Sequence, residues 1–143
     1  MRLIILGLIG VVACQHVTSP QADVEVSARL SSAEFRAGDT VRLTVTVTNR
    51  GEVIRELNTA ECPAPFVVTT ENGAEVGPAE HACTLQLAMK TLAPGESFIY
   101  TVPWSGDARS APRLPPGRYL LRARVPAKGG LIEGDPIAFR ILP

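Results

Sequence analysis

The clearest pattern in the chain lies at Val41–Thr48, where Val41, Leu43, Val45 and Val47 alternate with Arg42, Thr44, Thr46 and Thr48. A period of two puts the apolar set on one side of a pleated strand and the polar set on the other. Branched side chains suit that backbone, and threonine keeps the open side soluble. Ala37-Gly38-Asp39 before it and Asn49-Arg50-Gly51 after it are turn-forming sequences. The pattern predicts the central strand of an antiparallel sheet with one face in water.

The same period recurs along the chain. Val24, Val26, Ala28 and Leu30 alternate with Glu25, Ser27 and Arg29, which predicts a first strand. Ser31–Thr40 reads as a connection in which Phe35 plugs the edge of the core. Glu52–Leu57 predicts a shorter strand without clean alternation. Asn58–Pro65 reads as a loop, because Pro63 and Pro65 have no N–H for a ladder. Phe66–Thr70 predicts a strand, and Glu71-Asn72-Gly73-Ala74 a hairpin turn, since Asn and Gly tolerate positive φ. Cys83, Leu85, Leu87 and Met89 alternate with Thr84, Gln86 and Ala88 to predict another strand.

Leu92–Ser97 contains Pro94-Gly95 and reads as a tight turn. Phe98, Tyr100, Val102 and Trp104 share one face of the next strand, with Trp104 partly exposed at its end. Ser105–Arg113 is the longest loop. After a turn at Leu114–Gly117, a late strand sets Tyr119, Leu121, Ala123 and Val125 opposite Arg118, Leu120, Arg122 and Arg124. Lys128-Gly129-Gly130 turns the chain, and Ile137, Phe139 and Ile141 mark a last strand. No stretch shows a sustained helical period. The expected class is all-β, an immunoglobulin-like antiparallel β-sandwich of about seven or eight strands. A small barrel is the alternative.

The first residues follow another logic. Met1–Ala13 carries Arg2 and then an apolar run, Leu3–Val12, too short to span a bilayer but suited to a signal-peptide core. It leads into Val11-Val12-Ala13-Cys14. Small residues before a cysteine resemble the lipobox, the processing site of bacterial lipoproteins. The resemblance implies cleavage before Cys14 and acylation of its sulfur and its new amine; two acyl chains anchor stably where one does not. The other reading is an ordinary secretory signal with a chance cysteine at its end. The expected organisation is a lipoprotein signal peptide at 1–13, a lipidated tether at 14–23 and the sandwich domain at 24–143. The expected location is the cell envelope, lipid-anchored. Gln15 behind the cysteine resembles cargo sent to the outer membrane where the host has two membranes.

With Cys14 assigned to lipid, Cys62 and Cys83 form the remaining pair. In an oxidising compartment they are expected to form a disulfide, worth about 3 kcal/mol in the chain-entropy view. A soft metal site from His81, Cys83 and Cys62 is the competing reading, with Met89 or Glu80 as a further ligand. The disulfide is preferred because no second histidine or fixed fourth ligand completes the metal set, and no metal or other cofactor is expected.

Charge narrows the partners. The chain has 14 Lys+Arg and 14 Asp+Glu; losing Arg2 with the leader leaves 13 against 14, a net charge near −1. Nucleic acid binding has no electrostatic support. His16 lies in the tether, which leaves His81 as the one candidate base. No G-x-S-x-G turn or H-E-x-x-H helix is present, so no enzyme is expected.

Four pieces occur in a set order: Thr44–Asn49 (T-V-T-V-T-N), Leu92–Tyr100 (L-A-P-G-E-S-F-I-Y), Trp104, and Pro115–Ala123 (P-P-G-R-Y-L-L-R-A). This order resembles the BsuPI-like domain, named for a bacterial intracellular proteinase inhibitor, over roughly Val24 to Val125. The resemblance implies an immunoglobulin-like sandwich. Within it, Gly117 turns the chain and Tyr119 plugs a corner, its hydroxyl bonding backbone. The naming activity belongs to a cytoplasmic protein, whereas this chain carries a leader, a lipobox and a cysteine pair. The shared motifs are core and turn residues, so they carry fold and transfer no inhibitory residue.

The expected function is a membrane-anchored, non-catalytic extracytoplasmic binding module, with inhibition of an envelope protease as one version. The alternative is a structural or accessory lipoprotein of an envelope assembly. The partners are a membrane, through the N-terminal lipid, and an envelope protein; nucleic acid is not one. The candidate binding loop is Ser105–Arg113, with Asp107, Arg109 and Arg113 among small residues. Loops on rigid sandwiches commonly carry recognition, and the arginine fork pairs well with carboxylates. A tolerated surface insertion is the plainer reading. The Arg118, Arg122 and Arg124 stripe is read as a solvated strand face rather than an acidic-partner site. The Phe98–Trp104 aromatic face is read as core rather than a sugar platform.

Overall fold

The structure is a computed structural model that describes residues 23–60, 64–80, 88–128 and 130–143. Cys14, Cys62, Cys83 and His81 lie outside the described residues. In chain order the strands are β1 (Val24–Leu30), β2 (Glu34–Arg36), β3 (Val41–Asn49), β4 (Arg55–Asn58), β5 (Phe66–Thr70), β6 (Glu75–Gly77), β7 (Met89–Leu92), β8 (Ser97–Trp104), β9 (Gly117–Ala127), β10 (Gly130–Glu133) and β11 (Ile137–Leu142).

They form two open sheets. β3 is the centre of a three-stranded antiparallel sheet, β1-β3-β8. The larger sheet runs β2-β11-β9-β4-β7, with β10 and the β5–β6 hairpin attached through β9. Two sheets rather than one closed ring make this a sandwich. Register explains the core. Val26 lies opposite Val47 and Val45 opposite Tyr100, so the apolar sets of β1, β3 and β8 point the same way. Leu43, Val45 and Val47 are fully buried, in one cluster with Leu121, Ala123 and Val125 of β9. Each such Val or Leu contributes roughly 1.5–3 kcal/mol of transfer free energy.

One end of the core is aromatic. The Trp104 indole meets Phe35, Phe66 and Phe139 edge-on, at centroid distances of 5.7, 5.5 and 5.4 Å. Phe139 stacks on both Phe35 and Tyr119. Trp104 is therefore 3% exposed, not partly exposed as its strand-end position suggested. β2 and β11 reach over that end and cover it. Phe35 does plug the core edge, and it does so from a three-residue strand paired in parallel with β11.

Three further expectations change. The short strands β2, β6 and β10 have three or four residues, too few to show a period, so eleven strands stand among the described residues where seven or eight were expected. Met89 is exposed and Leu92 buried, so the alternation predicted from Cys83 to Met89 does not place Met89 inward; residues 83–87 of that strand lie outside the described residues. β7 follows the register of β4, with Leu92 opposite Arg55. Thr48, on the expected wet face, is buried and shares a 2.8 Å hydrogen bond with the Ser97 hydroxyl. The Glu71–Ala74 hairpin turn appears where expected, with Gly73 at φ 86° and its N–H donating to the Thr70 carbonyl.

Candidate functional site

The registers define two ends. Val24 pairs with Asn49 and Thr48 with Ser97, so Asp23, Asn49–Gly51 and the Pro94–Gly95 turn share one end. Leu30 pairs with Leu43 and Val41 with Trp104, so Ser31, Thr40 and the Ser105–Arg113 loop share the other. The chain therefore enters β1 at the end opposite the candidate loop. Seven strand residues separate the two ends by about 20 Å.

The loop is folded onto the body. Ala108 and the following Leu114 are buried, and Leu114 N–H donates to the Gly106 carbonyl at 2.8 Å. Each of the three predicted site residues has a partner inside the protein. Asp107 accepts a 2.6 Å hydrogen bond from the Ala79 N–H. Arg109 pairs with Glu75 at 2.7 Å and with Glu80 at 3.3 Å. Arg113 donates to the Ala37 carbonyl at 3.3 Å and lies across Gly38. Gly38 holds φ 107°, and a Cβ there would stand 2.9 Å from the Arg113 guanidinium carbon. The positive φ is what requires glycine, since the exposed Arg113 side chain could shift to admit a Cβ. The tip residues Ser110, Ala111 and Pro112 remain exposed.

Beside the loop a small cleft of about 150 Å³ opens between Thr40, Pro103, Trp104, Ser105 and Asp107. It suits one small side chain of a partner rather than a cofactor. Among the described residues no group of three or more His, Cys, Asp or Glu side chains is arranged to hold a metal.

The arginine stripe of β9 is neutralised. Arg118 pairs with Glu71, Arg122 with Glu133, and Arg124 with both Glu75 and Glu133. Glu75 is the hub of this group, because Arg124 and Arg109 both donate to it. Hydrogen bonds from Arg124 and then Arg109 hold the Glu75 carboxyl below the ordinary carboxylate range. Burial works against the Arg124 charge, but its bonds to Glu75 and Glu133 outweigh that and raise its pKa. The network ties the loop to β6, β9 and β10. Of the aromatic face, Tyr100 is half-buried and its hydroxyl is pushed up to about 12 by desolvation.

Sequence reasoning missed Asn49. Read as turn chemistry, it is completely buried. Its Nδ2 donates to the carbonyls of Val53 and Leu92 at 2.8 and 3.0 Å, and its Oδ1 accepts from Gly51 N–H at 3.0 Å. It clamps the end of β3 to β7. The signal was an Asn closing an apolar strand just before a glycine, a position where a side chain can replace missing backbone partners.

The whole arrangement matches a known family. The model of the BsuPI family, intracellular proteinase inhibitor, matches residues 28–130. The chain belongs to the BsuPI family. No curated protein matches the sequence. Among solved structures, the chain is similar to the Pseudomonas fluorescens alkylpurine DNA glycosylase AlkC bound to DNA containing an abasic site analog. The identity is 14%, the TM-score 0.55, and the match covers 85% of this chain and 31% of that one. This chain thus spans about a third of the glycosylase, and the likeness is one of fold. It is also similar to the Bacillus subtilis sporulation control protein Spo0M, at 16% identity and TM-score 0.49, covering 84% of this chain and 49% of that one.

Proposed function

We propose that this chain is a non-catalytic, protein-binding module of the proteinase-inhibitor family, held at a bacterial cell envelope by lipid on Cys14. Its partner is an envelope protein, with a protease as the version the family points to. The observation that carries this reading is the placement of the loop. The chain enters at Asp23, at one end of β1, and Ser105–Arg113 stands at the other. A tether at 14–23 would leave the loop end facing away from the membrane. The tip Ser110-Ala111-Pro112 is exposed on a loop held by the Glu75 and Asp107 contacts. A preorganised loop of that kind loses little freedom on binding.

An assembly role for the domain draws less support. The large exposed apolar residues Val53, Ile54, Met89, Ile99 and Leu131 are spread over the β3–β4 connection, β7, β8 and β10, and do not gather on one element.

Two measurements test the reading. Cells fed a palmitate analogue should label the wild-type chain and not Cys14→Ser; equal labelling removes the anchor. Ala111→Trp adds bulk at the exposed tip without touching the core. It should abolish crosslinking to the envelope partner and any protease inhibition while leaving the melting transition in place. Undiminished crosslinking in that variant would move the binding site elsewhere.

A further inference from the structure

The arginines without a carboxylate are not the ones on β9. Arg29 and Arg42 are exposed on the outer face of the three-stranded sheet. Arg29 lies opposite Thr44, and Arg42 two residues along the same face, opposite Pro103. Such diagonal neighbours are about 7–8 Å apart. No described carboxylate lies within ion-pair distance of either, and the same holds for Arg113 and Arg36, exposed at the same end. Arg36 donates to the Pro143 carbonyl and Arg113 to that of Ala37, neither of which neutralises charge.

Four arginines thus gather at the loop end. The exposed carboxylates near them are Asp39, whose Oδ2 accepts from the Arg36 N–H, and Glu34, two residues before Arg36 and paired with Arg140 at 3.7 Å. Asp107 is turned to the Ala79 N–H. At the opposite end Glu52, Glu56 and Glu96 are exposed and lack a described cation within ion-pair distance. Exposed Lys128 stands at that end too, next to Ala127, so the excess of acid there is partial.

Arg29 and Arg42 are diagonal rather than directly opposite, so their mutual repulsion is modest and screened by salt, but their charges point to the same side and a single anionic partner could bridge both. We propose that the loop end binds an acidic, extended protein segment, whose carboxylates are taken by Arg29 and Arg42 and, over the edge, by Arg113. Half-buried Thr44 lies opposite Arg29 and two residues from Arg42, and exposed Thr101, 3.5 Å away hydroxyl to hydroxyl, continues the polar row onto β8. The planar fork of arginine suits carboxylates, and the patch spans only a few residues of an extended chain. A short peptide fits it better than a nucleic acid, whose binding calls for a larger basic surface. The proposal rests on the reading of the domain as a protein-binding module and names the chemistry of its partner.

The test uses the full chain in detergent and fluorescein-labelled decaglutamate, followed by anisotropy at low salt. Binding is expected, with none for labelled decalysine and a steep loss as salt is added. Arg29→Gln with Arg42→Gln should weaken it about tenfold, whereas Arg118→Gln, which removes an arginine already paired with Glu71, should leave it unchanged. Both replaced side chains are exposed and outside every described ion pair, so the double variant keeps its fold. Absence of decaglutamate binding, or equal binding by the double variant, overturns the proposal. So does stronger, patch-dependent binding of heparin or of phosphatidylglycerol vesicles. In-cell crosslinking separates the two readings. A partner held equally by wild type and double variant leaves the module standing and removes the acidic-segment inference. Patch-dependent peptide binding with no partner captured in cells keeps the inference and removes the module.

Discussion

The hydroxyl of Tyr119 donates to the carbonyl oxygen of Pro115 at 2.8 Å, closing a corner between the entry to β9 and the turn before it. The ring packs on Phe139, so one side chain serves both the aromatic core and the turn. Tyr119→Phe keeps the ring and removes the donor. It should lower stability by about 1 kcal/mol, read as a shift in the urea midpoint with an unchanged slope. An unchanged midpoint would mean the corner is held by packing alone.

Asn49 is the other polar staple. Asn49→Ala leaves the Val53 and Leu92 carbonyls and the Gly51 N–H without their partner. The expected loss is about 2–3 kcal/mol, and amide exchange should quicken first at the β3 end and in β7. A cost like that of an ordinary surface change would show that water replaces the side chain.

Adjacent residues on β3 should respond in opposite ways. Leu43 is fully buried and Thr44 half-buried on the outer face. Leu43→Ala should cost about 2–5 kcal/mol through lost transfer and a residual cavity, while Thr44→Ala should stay within about 0.5 kcal/mol. Equal costs would contradict the assigned faces.

The Glu75 network predicts an acid limb. Its carboxyl is held below the usual value of 4.5 by Arg124 and Arg109. Its contribution is therefore fully present above the unfolded value and is lost as pH falls through the lower folded value. Glu75→Gln should reduce stability at neutral pH and flatten the decline on acidification. Chemical denaturation across that range measures both, and parallel curves for the two proteins would remove Glu75 as the source. Because the group is partly exposed, added salt should weaken the effect.

For the cysteines, the proposed export of the domain predicts a Cys62–Cys83 disulfide. Thiol titration of the unfolded, non-reduced chain, prepared as Cys14→Ser, should find no reactive thiol. Two would refute the bridge and return the pair to the metal reading.

Much of this protein was determined by local pattern. The strict alternation at Val41–Thr48 is enough to place β3 and its faces, because a strand's side-chain period is a property of the backbone itself. The same reasoning located β1, β8, β9 and β11, while the Tyr119 corner was implied by the family resemblance carried by Pro115–Ala123. The family, too, was legible, since its motifs are strand and turn residues. What the pattern could not decide was which charged side chains meet. Arg118 and Arg42 look alike in sequence, each a polar position on an alternating strand. Only the approach of Glu71 distinguishes the first, and only the lack of any described carboxylate neighbour the second. The Ser105–Arg113 loop likewise reads as a free excursion until β6 brings Glu75 beneath Arg109 and the following turn brings Ala79 to Asp107. Alternation is encoded in neighbouring residues, but charge pairing depends on contacts between residues far apart in the chain, which exist only once the strands have paired and the loop has folded onto them.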